Sequence, residues 1–274
     1  MTVIGVQKES AGAKLPRRLR KRRSESMDAV DLARTVLRAT SDWFPYSVDP
    51  GAVTVEEMAL AGLARCRRLL SGMVRLHAEP DLTGGFARTL YEVWLGAMFL
   101  LLGGQEAYER LESNDIRSLQ RQAKRIKAHL DPNESNPVGQ RLMRQTETFS
   151  AAPKNTKGEL DVAAMAENVT KLLVERGQPA NFPNEGYAFL YGPESYVNVH
   201  GGIGAMKQHL LERGEVIPYI DAAARPHRGA DHRLEVACAM VMSLADYLCV
   251  RMGLPRKKLD ESLSGWLRTR RSPA

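Results

Sequence analysis

Phe86-Ala87-Arg88-Thr89-Leu90-Tyr91-Glu92-Val93-Trp94-Leu95-Gly96-Ala97-Met98-Phe99-Leu100-Leu101-Leu102 is the most apolar stretch of the chain, and its reading decides the fold. Its uninterrupted part, Val93 to Leu102, falls short of the roughly 18 apolar residues that a membrane span needs, and Glu92 stands directly before it. The stretch therefore reads as a buried core helix over about 86–102, preceded by Gly84-Gly85 and ended by Gly103-Gly104.

Outward from this helix the chain is helical in both directions. On the N-terminal side, Ser26 or Asp28 caps a helix whose Val30, Ala33 and Leu37 share a face, and Trp43 to Gly51 forms a connecting turn. Thr54 and Glu57 have the spacing of a capping box, opening a helix that runs to about His77 and stops before Pro80. On the C-terminal side, 105–130 is a charged helix with a break expected at Ser113-Asn114-Asp115. Residues 132–158, with Pro137, Pro153, Asn155 and Gly158, read as a mobile excursion. Helices are then predicted over about 160–176, 184–191, 194–212, 230–252 and 257–269, the penultimate one burying Leu234, Val241, Leu244 and Leu248. No strand alternation and no internal repeat stand out. The expected class is all-α, a multi-helix up-down bundle forming a single domain over 27–274.

Composition narrows the setting. The net charge of +7 is concentrated in residues 1–26, where Lys8, Lys14, Arg17, Arg18, Arg20, Lys21, Arg22 and Arg23 stand against Glu9 and Glu25. That tail carries +6 and the rest of the chain only +1. It has no periodic apolar pattern and reads as a disordered basic tail able to hold nucleic acid through phosphates, without sequence preference. Cys66, Cys238 and Cys249 form no CxxC pair, which favours a reducing, cytoplasmic compartment over a disulfide or zinc framework. No apolar segment follows the basic residues as it would in a signal peptide, and no membrane association is expected.

P-loop, dinucleotide-binding, HExxH, GxSxG and EF-hand patterns are all absent, and neither a cofactor nor a metal is implied. Gly201-Gly202-Ile203-Gly204 follows no strand and lacks the P-loop lysine, so close helix packing is its first reading. Arg88 and Glu92, four apart beside an apolar run, face the same way. They read as an ion pair that fixes packing or as a polar site facing a cleft. The segment from Asn184 to Gly202 concentrates aromatic, amide, hydroxyl and imidazole groups. Tyr191 precedes a helix on which Tyr196 and His200 share a face, with Asn198 between them and Lys207 two turns beyond His200. Histidine titrates near neutrality and suits acid–base work, and it equally suits a bond to a core carboxylate such as Glu92. His227, Asp231 and His232 surround a helix start, where Asp231 favours the dipole. His129 with Lys124, Arg125 and Lys127 reads as a solvated face.

Arg88-Thr89-Leu90-Tyr91-Glu92 followed about a hundred residues later by Tyr191 through His200-Gly201 resembles a family of bacterial all-helical proteins placed near the HEPN superfamily. The resemblance spans about 55–250. It implies a helical bundle, commonly a homodimer, of the defence or toxin type, acting on RNA as a metal-independent ribonuclease. His200 would then be the general acid/base, with Arg88 and Glu92 beside it and Tyr191, Tyr196, Asn198 and Lys207 contacting substrate. HEPN ribonucleases pair this histidine with an arginine in R-x4-6-H, whereas Ser195, Glu194 and Pro193 stand at the upstream positions here. Arg225 and His232 satisfy the count, but Pro226 and Gly229 lie between them. Two other expectations stand beside the enzyme: a non-catalytic interaction module whose polar cluster holds helices together, and an accessory protein that binds nucleic acid through its tail.

Overall fold

The structure is a computed structural model that describes residues 28–49, 51–77, 80–129, 140–141, 144, 160–192, 210–213, 216–220, 230–261 and 264. Its helices are α1 (Ala29–Ala39), α2 (Val55–Arg75), α3 (Pro80–His129), α4 (Val162–Glu175), α5 (Asn181–Gly186) and α6 (Ala230–Met252). Sequence chemistry accounts for their ends. Asp28 accepts from the Val30 amide at the head of α1, Asp161 accepts from Ala164 at the head of α4, and Thr54 with Glu57 closes the expected capping box on α2.

These six helices share one core among the described residues. The apolar stretch of α3 is its centre: α3 lies along α2, touches α4 on another side and meets α6 on a third. Leu90, Tyr91 and Leu95 are fully buried, and so are the expected face residues Leu234, Val241, Leu244 and Leu248 of α6. The three cysteines are buried and unpaired, and burial pushes the Cys66 and Cys238 thiols up to about 12. The described core is thus all-α, as the pattern implied.

Several details differ from the sequence reading. The apolar helix starts at Pro80 rather than 86, since Gly84 and Gly85 are accommodated inside it. Its continuation shows no break at Ser113, whose hydroxyl bonds back to the Glu109 carbonyl within the helix. Leu210–Arg213 is a strand rather than a helix end, paired antiparallel with Val216–Ile220, where Val216, Ile217 and Ile220 are β-branched, and carrying an irregularity between Leu211 and Arg213. Within α3, Leu82–Gln122 is long and apolar enough to cross a membrane by length and composition alone. However, 61% of its most apolar window is buried inside the fold. The tail 1–26 and the excursion 132–158 lie outside the described residues, apart from 140–141 and 144, which are helical.

The expected stop at Gly103-Gly104 is a kink. Gly104 sits at φ 61°, ψ −142°, and the chain then resumes its helix. Beside the break, the Leu101 carbonyl accepts from Arg251 at 3.0 Å and the Leu102 carbonyl from Arg176 at 2.5 Å, so arginines following α4 and ending α6 both clamp it. That region of φ/ψ is essentially confined to glycine. Gly104→Ala is therefore expected to lower stability by about 1–3 kcal/mol in urea denaturation. Gly96→Ala, in the same helix with open space at its Cβ, is expected to be neutral or stabilising by up to about 1 kcal/mol.

Candidate functional site

Arg88 and Glu92 stand one turn apart on α3, with Nη2 and Oε1 3.1 Å apart. Their side chains are 19% and 34% exposed, which places the pair at the margin of the core. The wall opposite them comes from the segment after α5. Instead of extending as the single α-helix predicted over 184–191, the chain widens at Tyr187–Tyr191 into a π-turn, in which the Gly192 amide donates to the Tyr187 carbonyl. Such turns are rare and concentrate at functional sites.

The π-turn delivers Tyr191 to the ion pair. Arg88 Nη2 donates to the Tyr191 hydroxyl at 2.9 Å, and the guanidinium carbon lies 4.7 Å from the ring centroid. One arginine therefore serves a carboxylate, a hydroxyl and a π face. Burial pushes the Tyr191 hydroxyl above the ordinary phenol range; Arg88 opposes this and the Glu92 charge adds to it. Tyr191 is consequently a neutral phenol over the whole physiological range. The Nε of Arg88 is buried and has no hydrogen-bond partner among the described residues.

Two further tyrosines complete the arrangement. Tyr187 stacks on Tyr191 with centroids 5.4 Å apart and planes at 19°. Tyr91 lies behind, 5.9 Å from Tyr191, with its hydroxyl donating to the Pro183 carbonyl at the centre of α5. Gly186 makes this approach achievable: a Cβ there would lie 2.6 Å from the Tyr91 ring.

The structure thus brings Tyr191 to Arg88 and Glu92, about a hundred positions earlier in the chain. Tyr196, Asn198, His200, Lys207, His227 and the glycines at 201–204 lie outside the described residues. Asp231 has a role beyond the helix dipole: its carboxylate meets His77 Nε2 at 2.8 Å and ties the end of α2 to the start of α6. Lys124 and Arg125 are exposed on the charged part of α3. Among the described residues no group of three or more His, Cys, Asp or Glu is placed to hold a metal ion. Sequence reasoning did not single out Tyr187 as part of this cluster. Its i, i+4 spacing to Tyr191 was visible, and in the π-turn the two rings stack.

Compared with protein families, with curated proteins and with solved structures, the chain has no match.

Proposed function

We propose that the protein acts on RNA at a site built around Arg88, Glu92 and Tyr191, with His200, nine residues after Tyr191 in the chain, as general acid/base. The observation that supports this reading is Arg88. Its guanidinium is oriented from two sides, by Glu92 and by Tyr191, and remains partly open to solvent, a setting in which an arginine suits a phosphodiester ligand. In the proposed reaction His200 takes the proton of a ribose 2′-hydroxyl. The 2′-oxygen bonds to the adjacent phosphorus, the bond from phosphorus to the 5′-oxygen breaks, and the leaving oxygen is protonated. Arg88 faces the charge that develops on the phosphoryl oxygens.

The test is cleavage of labelled total RNA by the full-length protein in the presence of a metal chelator. Removal of a general acid/base removes about a hundredfold or more, so His200→Ala is expected to lose that much activity, with Arg88→Ala also strongly reduced. A folded wild-type protein that leaves RNA intact overturns the reading.

A second reading has its own support. Glu92 already balances the charge of Arg88, and Tyr191 caps it, which suits an interaction module in which the cluster only locks the π-turn to α3. In that case Arg88→Ala lowers the melting temperature and changes no RNA signal.

A further inference from the structure

A second site includes Trp94, whose ring lies 6.0 Å from that of Tyr91, and Pro183, whose carbonyl accepts from the Tyr91 hydroxyl. We propose that the protein binds a small, flat, uncharged aromatic molecule in a half-open pocket lined by α3, α4, α5 and α6. The pocket has a volume of about 200 Å³, and its walls include Trp94, Met98, Leu173, Phe182, Ser243 and Tyr247. An apolar cavity of roughly 150 Å³ suffices to hold benzene. This one therefore fits a substituted single ring or a small fused pair.

Three features define the ligand class. Trp94 and Phe182 meet edge to face, with centroids 5.1 Å apart and planes at 85°, so they offer one ring face and one ring edge at a corner. A third ring completes such an arrangement through offset or T-shaped contact, and Met98 adds a polarizable sulfur. Among the described residues no charged side chain lines the pocket. Finally, its polar groups are already engaged with one another: the Trp94 indole N–H donates to Ser243 Oγ at 3.0 Å, Ser243 donates to the Met240 carbonyl at 2.9 Å, and Tyr247 is bonded to Gln178. A charged ligand would lose its water there and find no partner, whereas an apolar ring loses nothing.

The position of the pocket gives occupancy a consequence. Phe182 and Pro183 belong to α5, which runs directly into the π-turn, and the Pro183 carbonyl holds the Tyr91 hydroxyl. A ring seated against Phe182 thus braces the element that presents Tyr191 to Arg88. The pocket itself stands on its own geometry and does not require the RNA reading.

The experiment is calorimetric titration of the full-length protein with indole, and separately with benzoate as a charged ring of similar breadth. Saturable binding of indole and none of benzoate is expected. Ala239 lines the pocket and is only partly buried, so Ala239→Leu fills the space and is expected to weaken indole about tenfold or more. Ala239→Ser, which adds little volume, keeps binding; Ala239→Val replaces the leucine variant if circular dichroism shows that variant to be unfolded. Three results overturn the proposal: no saturable heat with folded wild type, equal indole affinity in the filled variant, or benzoate binding as tightly as indole.

Discussion

Tyr91→Ala is expected to destabilise the protein by about 3–5 kcal/mol, a large part of the stability of a typical domain. Tyr91 is fully buried at the junction of α3, α5 and the π-turn, where its ring touches Trp94, Tyr191 and the backbone face of Gly186. Truncation leaves a ring-sized void between elements that cannot close on it, because α3 is anchored on its other sides by α2 and α6. Tyr91→Phe separates the contributions. It keeps the ring and removes only the hydrogen bond to the Pro183 carbonyl, so its expected cost is about 1 kcal/mol. Equilibrium urea unfolding followed by circular dichroism measures both. Similar losses for the two variants would mean that the hydrogen bond, rather than the ring, holds α5 in place.

Trp43→Ala comes next, with an expected loss of about 3–5 kcal/mol by the same measurement. Trp43 follows α1 in a single 3₁₀ turn, Ser41–Trp43, and its side chain is 4% exposed. Its indole N–H donates to the Pro255 carbonyl at 3.3 Å, joining the start of the described chain to its end. Beside it, Arg67 of α2 donates to the Leu37 carbonyl and to Thr40 and lies 5.3 Å from the Phe44 ring centroid, so the turn after α1 is secured from two directions. Trp43→Phe retains most of the apolar area and loses the hydrogen bond. A loss well below that of the alanine variant is expected. If Trp43→Ala unfolds at the wild-type urea midpoint, the contact between the two ends is not part of the cooperative unit.

The sequence and the structure agree at the caps, at the periodic face of α6 and at the glycine pair after Leu102, all local signals. The capping box at Thr54 needs only Glu57, three residues on, and it forms. The apolar face of α6 is written in a 3.6-residue period, and its leucines and valine are fully buried. The pair of glycines after Leu102 marks a real interruption, because Gly104 adopts a conformation open to few other residues. Failures came where packing outweighed local preference. Gly84 and Gly85, expected to precede a helix, lie inside one, since burial of Phe86, Ala87 and Leu90 against the core outweighs the modest cost of glycine in a helix. The connecting turn expected at Trp43 is present, but its burial was not legible in the sequence, because the acceptor for its indole is Pro255, distant in the chain.

The candidate site divides in the same way. The i, i+4 spacing of Arg88 and Glu92 was enough to predict an ion pair, since a helix places those positions on one face whatever surrounds it. Nothing in that spacing foretold that Tyr191 would cap the arginine, that Tyr187 would stack on Tyr191, or that Trp94, Phe182, Ser243 and Tyr247 would line a pocket. From its own residues the chain determined an all-α class, the approximate course of its helices, its buried faces and one charged pair. The π-turn, the kink clamped by Arg176 and Arg251, and the company that Arg88 keeps were decided only by tertiary packing. The reason is physical: periods and caps are energies between neighbours in the chain, whereas these features are contacts between residues that folding alone brings within reach.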